Sequence, residues 1–240
     1  MTVPMNYKPP LELSSNSLSD KDKINASVIW LHGLGADGYD FEPVAQRLLQ
    51  QLNLPNLRFI LPHAPDRAVT RNNGYVMPAW YDIYGLTPIT KEDESGINCS
   101  QTYVNALIQR EIDRGVPAQR IVIAGFSQGG AIALHTALRY PKRLAGILAL
   151  STYLPLQAKL ASEANPANAG IPIFMAHGTF DDIITLETCK ASLNILQSNQ
   201  TLATPSITLH EYNMAHSVCA AEIADIQDFL QQVLQQDLVE

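Results

Sequence analysis

Of the 240 residues, 46% are hydrophobic and 16% are charged, which supplies enough apolar surface for the core of one large domain. The net charge is -7 and no basic cluster is present, so nucleic acid and anionic membranes are poor partner candidates. Cys99, Cys189 and Cys219 are widely spaced and form no C-x-x-C pair, which argues against a disulfide scaffold or a structural zinc site and favours a reducing cytoplasm.

Residues 1–25 are rich in proline, serine and asparagine and predict a polar lead-in, with a short edge strand near Leu11–Leu13. Because they contain no continuous apolar segment, we expect no secretory signal there. The apolar runs farther along the chain are too short to span a bilayer. Residues 26–240 contain no linker, internal repeat or low-complexity tract, so we expect them to form a single domain.

Strands and helices alternate through that domain. This alternation predicts right-handed crossovers and an α/β fold with a mostly parallel central sheet covered by helices on both faces. Strands are predicted at Ser27–Leu31, Leu57–Leu61, Ile121–Ala124, Arg143–Leu150, Ile171–Ala176 and Ser206–Tyr212. Helices are predicted at Phe41–Leu52, Ile97–Arg114, Ala131–Tyr140, Leu186–Ser198 and Ala221–Gln235.

The segment from His63 to about Glu94 predicts a long irregular loop, and a loop of this length in a compact domain is usually functional. We call it the wall segment. Its aromatic side chains, together with the apolar loop Thr152–Leu156 at another strand end, indicate a bounded apolar pocket. The residues expected to line this pocket are Met77, Trp80, Tyr81 and Leu156.

One short stretch carries the clearest chemical signal. The apolar strand Ile121–Ala124 runs into Gly125-Phe-Ser-Gln-Gly129, a G-x-S-x-G sequence, and a helical segment follows at once. Strand, tight turn and helix form the context of a nucleophile elbow, where glycines avoid collisions and the serine hydroxyl stands clear of the sheet. Ser127 is therefore the candidate nucleophile. The alternative is a solvated serine in an ordinary glycine turn.

A serine nucleophile needs a base, and the base needs an orienting acid. In the chain order that goes with such an elbow, the acid follows a later strand and the histidine comes near the end. His216 follows the last strand and is the candidate base. Asp181 and Asp182 follow the strand before it, and their spacing alone leaves the choice open because neighbours on an extended turn point in opposite directions.

The other five histidines have weaker claims to the role of base. His63 in the wall segment is the alternative, although the chain order disfavours it. The remaining four have structural interpretations in strands, helices or turns: His32, His135, His177 and His210.

An oxyanion hole needs two backbone N–H groups aimed at the developing charge. One is expected from Gln128, the residue after the candidate nucleophile. The second is expected from Leu34, in the early glycine-rich turn His32–Gly35. For Leu34 the alternative is a plain strand-to-helix turn.

Six sequence blocks stand out: His32-Gly-Leu-Gly35, Pro78-Ala-Trp-Tyr-Asp82, Glu92-Asp-Glu-Ser-Gly96, Gly125-Phe-Ser-Gln-Gly-Gly130, His177-Gly-x-x-Asp181 and Met214-Ala-His216. Together they resemble the acyl-protein thioesterase/bacterial carboxylesterase family of the α/β-hydrolase superfamily. The similarity runs from about Val28 to Leu230, which is nearly the whole chain.

The resemblance implies an α/β-hydrolase fold with a minimal lid. It also implies a cytoplasmic serine hydrolase that works without metal or cofactor and is often a homodimer. The family pattern selects Asp181 as the acid, and its oxyanion donors match Leu34 and Gln128. Asp182 stands where relatives often carry proline, a departure that leaves it a weaker rival.

The favoured function is a carboxylesterase that hydrolyses short- to medium-chain esters, because the wall segment resembles bacterial members more closely than depalmitoylating ones. The first alternative is an acyl-protein thioesterase or lysophospholipase, which would use the same triad. An alternative of another class is a non-catalytic hydrolase-fold binding protein, which the intact triad positions disfavour. A nucleotide-binding fold is disfavoured because no strand opens into G-x-G-x-x-G.

Overall fold

A seven-stranded sheet forms the centre of the computed structural model, which describes residues 7–14, 24–85, 91–202 and 206–235. The strand order is β1-β3-β2-β6-β7-β8-β9, while β4 and β5 form a separate two-stranded sheet. The strands are β1 (Leu11–Ser14), β2 (Ala26–Leu31), β3 (Leu57–Leu61), β4 (Asp66–Val69), β5 (Tyr75–Pro78), β6 (Ile121–Phe126), β7 (Gly146–Leu150), β8 (Ile173–Gly178) and β9 (Ile207–Tyr212).

The prediction of a mostly parallel sheet is confirmed. Every pairing from β3 to β9 across the central sheet is parallel, and only β1 pairs antiparallel, with β3. The predicted edge strand near Leu11–Leu13 is therefore part of the sheet. The rest of the predicted lead-in lies largely outside the described residues, at 1–6 and 15–23.

Helices cover both faces of the sheet, as the alternation predicted. The helices of the described ranges are α1 (Glu42–Gln51), α2 (Glu94–Asp113), α3 (Gln128–Ala137), α4 (Leu160–Glu163), α5 (Leu186–Ser198) and α6 (Ala220–Gln235). None of these is long and apolar enough to cross a membrane.

The two faces of the sheet carry separate apolar cores, because successive residues of a strand point to opposite sides. In β2, Val28 and Trp30 pack into the core beneath α1 and α6, while Ile29 and Leu31 pack into the core beneath α2, α3 and α5. All four side chains are buried. Burial on both faces explains why these strands read as continuous apolar runs rather than as alternating patterns.

The wall segment is more ordered than the sequence indicated, and the prediction of an irregular loop is wrong for its first part. β4 and β5 form an antiparallel hairpin in which Val69 pairs with Tyr75. Its tip contains Asn73 and Gly74, which have φ angles of 55° and 75°. An Asn-Gly pair is a strong hairpin signal. This signal was obscured because only one residue of β4 and β5 is buried, so no apolar alternation marks the strands.

The strand predicted at Arg143–Leu150 begins only at Gly146. The guanidinium of Arg143 instead donates to the backbone carbonyls of Ala169 and Gly170. This interaction holds the chain before β7 to the segment that leads into β8. A long-range contact of this kind leaves no periodic trace in the sequence.

His135 on α3 is fully buried, and neither of its ring nitrogens has a hydrogen-bond partner among the described residues. Burial, with a smaller contribution from the positive charge of Arg139, lowers the pKa of His135 to about 3. The folded protein therefore holds this imidazole neutral, whereas the unfolded chain takes up a proton below about pH 6.5. Its contribution to stability is fully present above that pH and is lost as the pH falls toward 3.

We therefore predict that the free energy of unfolding falls between pH 7.5 and pH 4.5, and that His135→Leu reduces this fall by about 2 kcal/mol. Urea unfolding of both proteins at the two pH values measures the difference. His210→Leu is the matched control, since His210 lies in the partly exposed strand β9. An equal pH dependence in wild type and His135→Leu would contradict the assignment.

Candidate active site

Ser127 lies at a sharp turn between β6 and α3, with φ 54° and ψ -121°. This left-handed conformation is costly for a residue with a side chain and is tolerated only where its surroundings enforce it. The Ser127 N–H donates to the Leu150 carbonyl at 2.9 Å, and the Thr152 hydroxyl donates to the Ser127 carbonyl at 2.7 Å. Ser127 is buried, with 8% of its surface exposed.

The two glycines of the G-x-S-x-G sequence are required for steric reasons. A Cβ on Gly125 would overlap the backbone of Gly129, and a Cβ on Gly129 would overlap the carbonyl of Leu31. The turn therefore forms only because β2, β6 and α3 contact one another directly through their backbones at these two glycines.

The structure brings Ser127, His216 and Asp181 together from three strand ends. His216 Nε2 lies 2.9 Å from Ser127 Oγ, and His216 Nδ1 lies 2.7 Å from Asp181 Oδ2. With its Nδ1 proton donated to the carboxylate, the imidazole has Nε2 free to accept the serine proton. Asp182, the rival acid, is exposed.

The carboxylate of Asp181 is held in place by its own loop. Its Oδ1 accepts from the backbone N–H groups of Ile183 and Ile184, both at 2.9 Å. His177 Nε2 donates to the Ile184 carbonyl at 2.7 Å and lies 3.3 Å from Asp181 Oδ2. Burial lowers the pKa of His177, so this ring acts as a neutral donor that orders the loop.

The loop that carries His216 is fixed to the loop that carries Asp181. Thr179 N donates to the Tyr212 carbonyl at 2.8 Å, and Phe180 N donates to the Met214 carbonyl at 3.0 Å. A Cβ on Gly178 would overlap this same stretch of backbone at Met214. The His-Gly pair after β8 thus allows the two loops to approach closely.

The side chain of Gln128 connects the elbow to the wall segment. Its Oε1 accepts from the Trp80 N–H at 2.8 Å, and its Nε2 donates to the Tyr81 carbonyl at 2.7 Å. Both bonds are buried, so the wall keeps a fixed position relative to Ser127. No sequence pattern indicated this role for Gln128, because the role depends on a contact between residues far apart in the chain.

A cavity of about 420 Å³ opens over Ser127, within the usual size range of small-molecule sites. Leu34 and Gln128, the expected oxyanion donors, line it together with Ser127 and His216. Its other lining residues are Gly33, Ala36, Asp40, Arg71, Tyr81, Ile83, Gly85, Phe126, Tyr153, Ile183 and Ile184.

Of the four residues expected to line the pocket, only Tyr81 does so. Trp80 is fully buried within the protein and does not line the cavity. Its Nε1 donates to the His32 carbonyl. Met77 and Leu156 also lie outside the lining. The sequence showed that this segment is aromatic and close to the site, but which side chains face the cavity depends on its register against Gln128. Ile83 was missed for the same reason. Tyr153, Ile183 and Ile184 were also missed, because they lie in other loops whose contact with the cavity depends on tertiary packing.

The remaining histidines have structural partners or lie apart from the cavity lining. His32 Nε2 accepts from the Ala64 N–H and its Nδ1 donates to the Gly33 carbonyl, so it fixes the turn that carries Leu34. His63, the alternative base, accepts from the Gly38 N–H through Nδ1. Among the residues that the structure describes, no group of His, Cys, Asp or Glu side chains is placed to hold a metal ion.

Comparisons with known proteins agree with this fold. The family model described as phospholipase/carboxylesterase matches residues 16–234. The acyl-protein thioesterase 1 of Cryptococcus neoformans is 38% identical over 94% of this chain and 99% of its own length. The protein of the same name from Neurospora crassa is 42% identical over 85% of each chain. The crystal structure of Zea mays acyl-protein thioesterase 2 has a TM-score of 0.80 and 27% identity, covering 95% of this chain and 100% of that one.

The protein is a serine hydrolase with the α/β-hydrolase fold. Within that class, the chain belongs to the phospholipase/carboxylesterase family, whose model spans almost all of the sequence.

The adjacent aspartates provide a matched pair of variants. Asp181→Asn is expected to lower kcat on the order of ten-thousandfold, because the imidazole loses the acceptor that fixes its tautomer and orientation. Asp182→Asn, at the exposed neighbouring position, is expected to leave kcat nearly unchanged. Steady-state hydrolysis of a chromogenic ester measures both. A wild-type rate for Asp181→Asn together with an inactive Asp182→Asn would reverse the assignment.

Proposed function

We propose that this protein hydrolyses acyl thioesters, in the manner of an acyl-protein thioesterase, with Ser127 as nucleophile, His216 as general base and Asp181 as orienting acid. The observation that carries the proposal is the hydrogen-bonded chain from Ser127 through His216 to Asp181 at the base of a largely apolar cavity. The sequence favoured a carboxylesterase for small esters. The relatives named above support the thioester more strongly, so the oxyester becomes the second candidate.

The reaction begins as His216 Nε2 takes the proton of Ser127 and the serine Oγ attacks the acyl carbonyl. The N–H groups of Leu34 and Gln128 stabilise the negative oxygen that forms. The bond to the leaving group then breaks, and the leaving sulfur or oxygen receives the proton from His216. Water activated by the same imidazole attacks the acyl-enzyme, releases the carboxylic acid and restores Ser127.

The geometry around His216 favours this sequence of steps. The two backbone N–H groups on Asp181 Oδ1 leave Oδ2 for the imidazole and stabilise the negative charge opposite the imidazolium that forms. Phe126 packs against the His216 ring, with ring centroids 4.8 Å apart, and limits its rotation.

The expected setting of the enzyme is the cytoplasm, which the three free cysteines support. Activity without metal or cofactor and assembly as a homodimer stay predictions.

Ser127→Ala is expected to lower kcat by roughly a million-fold, as in other enzymes that lose the nucleophile of such a triad. The variant should also fail to react with a fluorophosphonate probe. Ser95→Ala, at an exposed position on α2, is the control and should keep both activity and labelling. If Ser127→Ala keeps a tenth of the activity and still labels, another residue is the nucleophile.

The choice between thioester and oxyester is tested with two peptides that differ in a single atom. One carries an S-octanoyl cysteine and the other an O-octanoyl serine in the same sequence. We expect kcat/KM to be at least about tenfold higher for the thioester, since a thiol is a far better leaving group than an alcohol (thiol pKa about 8.5). Equal rates, or a faster oxyester, would identify the protein as a carboxylesterase instead.

A further inference from the structure

The catalytic groups divide the cavity into two sides. Ile183 and Ile184 bind the carboxylate that holds His216, so they mark the imidazole side. The leaving group must lie there, because it receives its proton from His216. On the other side, the Gln128 side chain binds the backbone of Trp80 and Tyr81. The acyl chain therefore extends over Gln128 toward Tyr81.

Two tyrosines from different segments, Tyr81 and Tyr153, line the cavity together. The hydroxyls of Tyr81 and Tyr153 lie 2.7 Å apart in a hydrogen bond, and both side chains are buried. Burial raises the pKa of Tyr153 to about 12 and raises that of Tyr81 as well. Both hydroxyls are therefore protonated at neutral pH, and the bond between them is one between neutral groups.

The same two residues also line a second, small cavity of about 10 Å³. The two cavities share Tyr81, Ile83, Gly85 and Tyr153, and the small one continues to Lys91 and Glu92. The tyrosine pair thus stands as a partition between the cavity over Ser127 and the space behind the wall segment. Glu92 supports it from behind, because its carboxylate accepts from the Leu156 N–H, three residues after Tyr153.

We propose that the Tyr81–Tyr153 hydroxyl pair closes the end of the acyl site and so sets the longest acyl chain that the enzyme accepts; we call this pair the end stop. This proposal rests on the proposed function. Each methylene that is buried before the stop raises kcat/KM by up to about fourfold. Among the described residues, the two buried hydroxyls bond only to each other. The next methylene must separate them, and a hydrocarbon chain offers no replacement bond. Activity therefore rises with chain length and then falls at the tyrosines.

Three variants test this assignment, each measured as kcat/KM against p-nitrophenyl esters from acetate to laurate below their micelle thresholds. Tyr153→Val removes the ring and should shift the optimum to longer chains by at least about two carbons. Tyr153→Phe keeps the ring but removes the bond, and should raise the rate for chains beyond the wild-type optimum about tenfold relative to the optimum. Tyr140→Phe, which removes the hydroxyl of a buried tyrosine that does not line the cavity, should leave the profile unchanged.

Acetate hydrolysis and the fraction labelled by a fluorophosphonate report whether each variant is folded and catalytically intact. If Tyr153→Val does not fold, Tyr153→Phe and Tyr81→Phe carry the test. If these variants are active and the optimal acyl-chain length is unchanged, the end-stop assignment is wrong, while the proposed function is unaffected. A wild type that hydrolyses neither ester nor thioester overturns the proposed function, and the end stop with it.

Discussion

The close approach of bare backbone at Gly125 and Gly129 is the constraint on which the site depends. Without side chains at these positions, β2, β6 and α3 can meet at one point, and Ser127 is forced into a left-handed conformation at the tip of the turn. The strain is held by the two buried apolar cores on either side of the sheet, which fix the strands and the helix. The serine hydroxyl thereby gains a position that no flexible loop would maintain.

Parallel topology supplies the partners of this serine. The carboxyl ends of β6, β8 and β9 lie at one edge of the sheet, so the residues that follow them meet there despite long separations in the chain. Backbone hydrogen bonds between the loops after β8 and β9 then set Asp181 and His216 at bonding distance. Asp181 differs from Asp182 in this respect, because only its carboxylate turns inward to the N–H groups of its own loop.

The wall segment forms one side of the cavity over Ser127 through Arg71, Tyr81, Ile83 and Gly85. Several hydrogen bonds attach it to the catalytic framework, among them those from the Gln128 side chain to the backbone at Trp80 and Tyr81 and the one from Trp80 Nε1 to the His32 carbonyl. Ile183 and Ile184, on the loop that carries Asp181, line the same cavity. In the mechanism that we propose, the acyl chain lies on the wall side and the leaving group on the side of this loop, so acyl selectivity and leaving-group selectivity reside on different loops.

The sequence by itself determined the alternating elements, the mostly parallel sheet and the order in which Ser127, one of the two adjacent aspartates at 181 and 182, and His216 follow their strands. These features are local, since apolar periodicity, glycine turns and chain order can be read without knowing any distant contact. Only the tertiary structure decided that part of the wall segment is a hairpin, that Trp80 lies behind it and that Tyr153 meets Tyr81. Which face of an irregular segment lines a cavity depends on long-range hydrogen bonds such as those of Gln128, and these leave no pattern along the chain.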